Sequence, residues 1–280
     1  MSAPTPRPLM LITGASAGLG EAFARQYAAH GWDLALTARR EDRLETLAAE
    51  LRARHGCQVI TVALDLAEVG AADRLVNAVE AGGRHVDGLI NNAGYSLTGG
   101  FLALSPQQHA GMLAVMASVP VALSRRVAPG MAQRGFGRIL NIASLAGFLP
   151  ATGGDTLYGP LKSFLIKASQ GLHLELKGTG VHVTVLCPGY TLTEFHDANG
   201  SREAVSTAYP RWMWMEADPV IRAGYEACEA NRPVSIPGAF NRFMSVASRV
   251  TPTGWALKMA DRHARRLGRL ESRKRGAAAS

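Results

Sequence analysis

A serine, a tyrosine and a lysine fall in order within SLAGFLPATGGDTLYGPLK, the run from Ser144 to Lys162. Tyr158 and Lys162 are four residues apart, a spacing that sets both side chains on one face of a helix. An ammonium beside a phenol favours the phenolate and lowers a pKa that starts at about 10. A tyrosine tuned in this way passes a proton to or from an alcohol or carbonyl oxygen near neutral pH. The Ser144 hydroxyl, aimed at the same oxygen, would hold the substrate. Tyr-x-x-x-Lys by itself also occurs by chance on surface helices, so the elements before it decide what the pair has to work on.

Those elements alternate between strand and helix. Leu9 to Thr13 (LMLIT) is apolar on both faces, as a buried parallel strand requires. Gly14-Ala15-Ser16-Ala17-Gly18-Leu19-Gly20 follows, and then an amphipathic helix to His30, stopped by Gly31. A strand, a glycine-rich turn and a helix N-terminus together offer close backbone approach and free N–H groups to a pyrophosphate; the same turn could also be a plain βα connection. Asp33 to Ala38 is a second strand, followed directly by Arg39 and Arg40. An acid at that position would suit a ribose 2′-OH and an arginine a 2′-phosphate, so NADP is expected over NAD. The alternative is that both arginines solvate the start of the next helix, Glu41 to His55, which Gly56 closes.

Val59 to Leu64 is a third strand ending at Asp65, a carboxylate placed to meet an adenine amino group or to cap a helix over residues 66–81. Leu89 and Ile90 form a fourth strand running into Asn91-Asn92-Ala93-Gly94. Ser105-Pro106-Gln107-Gln108 starts a helix that continues toward Met131, and Pro120 inside it should kink or split it. Ile139 to Ala143 is the fifth strand and ends at Ser144. A helix from the Tyr/Lys segment to Lys177 precedes the sixth, Val181 to Leu186. A helix from Asp218-Pro219 precedes a short seventh, Val234 to Ile236. The pattern predicts an α/β fold: a Rossmann-type, doubly wound, parallel, seven-stranded sheet with helices on both faces, as one domain over residues 1–238 with a helical, basic extension over 239–280.

Composition narrows the class. The chain has 280 residues, 47% apolar, with a net charge of +8. From Lys258 onward eight Lys/Arg face only Asp261 and Glu271, so this segment carries +6 of the +8 and the remainder is near neutral. A nucleic-acid groove on the body is not expected. Cys57, Cys187 and Cys228 show no metal or redox spacing and are expected as buried thiols in a reducing cytoplasm. No metal site is expected. The short polar arm MSAPTPRP lacks the apolar core of a secretory leader, and no continuous apolar stretch reaches bilayer length.

At this point the sequence resembles the short-chain dehydrogenase/reductase family, and within it the bacterial ketoacyl reductases and hydroxysteroid dehydrogenases. The matching stretches are TGASAGLG (Thr13 to Gly20), NNAG (Asn91 to Gly94), Ser144, YGPLK (Tyr158 to Lys162) and PGYTLT (Pro188 to Thr193), in family order and spacing over about residues 8–240. The resemblance implies an oxidoreductase that interconverts a hydrophobic ketone and a secondary alcohol. Tyr158 would be the general acid/base, Ser144 would orient the substrate oxygen, and Lys162 would bind the nicotinamide ribose and tune Tyr158. It implies that Gly14, Ser16, Gly18, Leu19 and Gly20 hold the pyrophosphate half and Arg39 the 2′-phosphate, and that Asp65 meets adenine and Asn91 the adjoining ribose. Ala93, Gly94, Pro188 and Gly189 would line the cofactor, and Thr191 and Thr193 would approach the nicotinamide carboxamide and phosphates. Family members are often homodimers or homotetramers.

Two residues depart from the family pattern. Met116 stands where many members carry an asparagine that completes a proton relay, and a thioether does not donate. Ser118, two residues on, faces another direction. Pro160 lies between Tyr158 and Lys162, so the helix should begin close to Tyr158. Together they suggest a second reading, an NADP(H)-binding sensor or scaffold without turnover. The segment 190–217, with Phe195, Tyr209, Trp212, Met213, Trp214 and Met215, is expected to be irregular and either to cover an apolar substrate or to pack on the next helix; His196 within it is expected as an exposed loop residue. In residues 239–275, Phe243, Val246, Val250, Trp255, Leu257 and Met259 interleave with Arg242, Arg249, Lys258 and Arg262. That pattern suits a subunit contact or peripheral contact with an anionic membrane, and residues 268–280 are expected as a solvated end.

Overall fold

The computed structural model of the chain describes residues 6–97, 100–151, 153–194 and 209–266. Its seven strands are β1 (Leu9–Thr13), β2 (Asp33–Ala38), β3 (Val59–Ala63), β4 (Gly88–Asn91), β5 (Gly137–Ile142), β6 (Val181–Leu186) and β7 (Val234–Ser235). They form one parallel sheet in the order 3-2-1-4-5-6-7. The continuous apolar runs are explained by cover on both faces: every residue of β1 and β2 is buried. One face packs on α1 (Gly18–Ala29), α2 (Glu41–His55) and α7 (Ala217–Glu229), through Phe23, Tyr27, Leu44, Leu51 and Ile221. The other face packs on α3 (Ala71–Glu80), α5 (Val119–Arg134) and α6 (Tyr158–Glu175), through Leu75, Val79, Leu123, Val127 and Leu161. The strand order reverses between β1 and β4, and the C-terminal ends of the strands open a crevice there.

Two local expectations are corrected. The helix expected over 66–81 begins only at Ala71, because Gly70 adopts a left-handed φ of +73° that no helix can contain. Asp65 therefore does not cap it; its Oδ1 accepts from the Ala67 N–H at 2.9 Å within a turn. The helical run Pro106–Arg134 is 29 residues long, and by length and composition alone it would suffice to cross a bilayer. Its stripe of Met112, Met116, Leu123, Val127 and Met131 is instead buried in the core.

Pro120 splits that run as its missing N–H requires. α4 (Pro106–Leu113) opens with a complete capping box between Ser105 and Gln108. A single π turn, Ala114–Ser118, then carries the Val119 N–H to the Ala114 carbonyl, and α5 restarts with Pro120 in its first turn. α6 starts on Tyr158 itself, so Pro160 sits in the first turn, where an N–H has no intrahelical partner to lose. After Gly238 (φ +86°) the chain forms α8 (Ala239–Val250) and α9 (Thr253–Arg266). Phe195, His196 and the stretch from 268 onward lie outside the described residues.

Candidate active site

The glycine-rich turn is held shut by the loop after β4. Thr13 Oγ1 accepts from the N–H groups of Asn92 and Ala93, both at 3.0 Å. Asn92 Nδ2 donates to the Thr13 and Gly14 carbonyls at 2.9 and 3.1 Å. The space left is smaller than a methyl group: a Cβ on Gly14 would lie 2.9 Å from Ala93 Cα, and one on Gly20 would lie 2.3 Å from the Gly14 carbonyl oxygen. Gly14 and Gly18 also take positive φ, +67° and +60°. α1 begins at Gly18 with no side-chain cap on its first turn, leaving those N–H groups to whatever occupies the crevice.

One cavity of about 1180 Å³ runs from this turn along the sheet's C-terminal edge. Gly14, Ser16, Gly18, Leu19, Arg39, Asp65, Ala93, Gly94, Ser144, Tyr158, Lys162, Pro188, Gly189, Thr191 and Thr193 all line it. Two expected residues do not. Gly20 lies behind the turn and serves the close packing of α1. Asn91 is the last residue of β4 and points into the protein, where its Nδ2 donates to Asn141 Oδ1 at 2.8 Å. Asn141 Nδ2 donates in turn to Ser169 Oγ at 2.8 Å. Asn92, one residue on, takes the place at the cavity wall.

At the end of the cavity beside the C-terminus of β2 the structure brings in a second cation. The Arg40 Nε and an Nη donate to Ser16 Oγ at 3.2 and 3.1 Å, which bends the guanidinium over the glycine turn beside Arg39. Glu194 approaches the same group at 3.9 Å and pairs with Arg43 at 2.8 Å. Tyr95 lies between Arg39 and Asp65; burial raises its phenol pKa, with Arg39 pulling down and Asp65 pushing up.

At the other end, Ser144 closes β5. Its Oγ accepts from the Ala146 N–H at 3.1 Å and reaches the Pro188 carbonyl only at 3.5 Å, so the hydroxyl proton is weakly engaged. Lys162 rises one turn above Tyr158, its Nζ donating to the Ile142 carbonyl at 2.8 Å and lying 5.6 Å from the Tyr158 ring centroid. Burial lowers its ammonium from 10.5 to about 8. Met116 is buried, and both it and Lys162 Nζ approach within 3.7 Å of where a Gly94 side chain would begin. Ser118 is exposed, as its helical position demands. The three cysteines are free and buried, and burial pushes the Cys187 thiol up to about 12.

The wall beyond Ser144, Tyr158 and Lys162 is mostly apolar and partly supplied by the C-terminal helices. Tyr190 stacks on Tyr209 at 4.5 Å, and Tyr209 hydrogen-bonds His263 of α9. Leu149, Met213, Phe240 and Met244 complete it. The segment expected as cover thus divides: Tyr209 and Met213 line the cavity, whereas Met215 packs against the core and Trp212 stands mostly exposed against Phe240. Asp155 is buried at this end and accepts from Ser96 Oγ at 2.7 Å.

Residues 8–204 match the family described as short chain dehydrogenase. The chain belongs to that family. It is 36% identical over 224 residues to an NADP-dependent 3-hydroxy acid dehydrogenase of Salmonella typhi, an alignment covering 77% of this chain and 86% of that one. Among solved structures it is similar to a short-chain dehydrogenase from Sphingobium yanoikuyae in complex with NADPH (33% identity, TM-score 0.76, 98% of both chains). It is also similar to the bulky-bulky ketone specific alcohol dehydrogenase from Comamonas testosteroni (28% identity, TM-score 0.72, 98% of both chains). The short-chain dehydrogenase described here is accordingly an NADP-dependent oxidoreductase acting on CH–OH groups. Its own residues fit that cofactor: a turn that admits no Cβ at Gly14, an uncapped helix start, and two arginines at the adenosine end.

Proposed function

We propose that the enzyme interconverts a bulky hydrophobic ketone and its secondary alcohol. The observation that carries this reading is the substrate wall. Tyr190, Tyr209, Met213, Phe240, Met244 and Leu149 line it, and among the described residues the one Lys or Arg at that end is Lys162, committed to the Ile142 carbonyl. A carboxylate or sulfonate substrate would meet no guanidinium there and would face the buried Asp155. The NADP-dependent dehydrogenase of Salmonella typhi acts on 3-hydroxy acids, whereas the structure from Comamonas testosteroni is of a bulky-bulky ketone specific enzyme; the wall favours the second kind.

Bound NADPH supplies the hydride. Ser144 has its lone pair on the Ala146 N–H and directs its proton to the substrate carbonyl oxygen. Tyr158 gives its phenolic proton to that oxygen as the carbinol forms, and takes it back in the oxidative direction. Lys162, charged below about pH 8, stabilises the phenolate that Tyr158 becomes. Tyr190, Tyr209 and Met213 keep water from the reacting carbon. The test is NADPH oxidation against aryl-alkyl ketones and 3-oxo acids, with Tyr158→Phe as control. We expect kcat/KM for the bulky ketones to exceed that for the acids by about a hundredfold, roughly 3 kcal/mol of differential binding. The Phe control should lose at least about a hundredfold in kcat. Equal or better turnover of a 3-oxo acid would overturn the substrate assignment.

A further inference from the structure

Helix α8 is built inside out. Its buried positions are Asn241 and Ser245, while Phe243, Val246 and Val250 face solvent at 66%, 59% and 80% exposure. Their spacings of three and four residues make one apolar stripe. α9 repeats the arrangement: Ala256, Ala260 and Ala264 turn inward and Trp255 and Met259 turn out, 71% and 59% exposed. Small and polar side chains let the two helices close on the body, while Phe243, Val246, Val250, Trp255 and Met259 point away from it. Across Ala239–Arg266 there are six Arg/Lys and a single acid, Asp261. Asp261 pairs with Arg265, and Arg249 lies over the Phe148 ring; Arg242, Lys258 and Arg262 are exposed beside the apolar stripes.

We propose that the outer face of α8 and α9 docks on an anionic lipid surface. Phe243, Val246, Val250, Trp255 and Met259 would enter the boundary between headgroups and acyl chains, with Arg242, Lys258 and Arg262 on the lipid phosphates. Charge decides the occupant. A symmetric contact with a second copy would set the same cations against one another, whereas lipid phosphates neutralise them. The same two helices contribute Phe240, Met244 and His263 to the substrate wall, so a docked enzyme presents that end of its cavity at the bilayer, where an apolar ketone concentrates. This last point rests on the proposed substrate class; the docking does not.

The test uses the full chain with vesicles of phosphatidylglycerol and phosphatidylcholine, against vesicles of phosphatidylcholine alone, read by co-sedimentation without substrate. We expect binding to the anionic vesicles and little to the neutral ones. Arg242→Gln with Lys258→Gln and Arg262→Gln should weaken it by about fivefold for each cation withdrawn. Phe243→Ser with Val250→Ser and Trp255→Ser should lose at least about tenfold while keeping kcat on a water-soluble ketone, since none of the three lines the cavity. Absence of co-sedimentation, or binding that survives the three serine substitutions, overturns the proposal. Serine substitutions that change the molar mass by light scattering and leave vesicle binding intact would assign the face to a second copy instead.

Discussion

Replacing Lys162 with methionine should cost the enzyme its activity and raise the stability of the apoprotein. Burial holds the Lys162 ammonium at about 8 instead of 10.5. At about 1.4 kcal/mol per pH unit, that difference is roughly 3 kcal/mol of desolvation carried by the folded state at pH 7. Methionine removes the charge and keeps much of the volume, but strands the Ile142 carbonyl, at a cost of about 1–3 kcal/mol. The net expectation at pH 7 is a variant between about equal in stability and 2 kcal/mol more stable. The pH dependence is cleaner, because the stranded carbonyl does not titrate. Between about pH 8 and 10.5 the unfolded wild type still holds the lysine proton and the folded one has released it. The unfolded state therefore binds more protons, and wild-type stability rises with pH across that window. Urea unfolding of both proteins at pH 7 and 10.5 should show the variant's advantage shifting against it by about 3 kcal/mol. A difference that stays constant with pH would refute the claim that the folded chain holds this lysine dry. The same shift sets the alkaline limb of kcat/KM in the wild type, expected to fall above about pH 8.

Three further outcomes follow from the geometry. Arg40→Ala removes the guanidinium anchored on Ser16 and should raise KM for NADPH by about tenfold or more while changing that for NADH little, measured by initial rates. Gly20→Ala places a methyl 2.3 Å from the Gly14 carbonyl oxygen and 2.5 Å from Asn92 Nδ2. It should lower stability by about 1–3 kcal/mol and weaken NADPH binding with it, read by thermal unfolding with and without NADPH. Met116→Asn puts an amide next to the Gly94–Lys162 corner and should move the alkaline limb to higher pH, because an amide oxygen solvates an ammonium and a thioether does so only weakly; an unmoved limb would separate Met116 from the lysine.

The sheet was legible because its strands are buried on both faces, so LMLIT and DLALTA read as unbroken apolar runs with glycine or arginine at their ends. The start of α3 was not, since the left-handed Gly70 interrupts a stretch whose apolar spacing continues on either side. The choice between Asn91 and Asn92 was hidden for a similar reason. Adjacent residues at a strand end face opposite ways, and only the pairing of Asn91 with Asn141 of β5, fifty residues on, shows which one turns inward. Arg40 was visible only as the neighbour of Arg39, with no sign of its anchor on Ser16, and Asn241 and His263, which also line the cavity, carry no local signal. Arg40 is recruited by Ser16 from the neighbouring βα unit, and the other two reach the cavity from helices that follow the last strand.

Met116 and Pro120, read in the sequence as a lost relay and a helix breaker, are parts of one arrangement. Pro120 cannot donate within the run, so the helix opens into a π turn over Ala114–Ser118, and Met116 lies within that turn. The turn keeps Met116 buried at the Gly94 corner, which Lys162 Nζ also approaches. A polar side chain there would draw water toward the ammonium; a thioether leaves it with the Ile142 carbonyl and little solvation. The lowered lysine and the missing relay amide are thus two views of the same dry corner. On the proposed mechanism the consequence is a narrower working range: the cation that would hold the Tyr158 phenolate is half discharged at about pH 8 and lost above it.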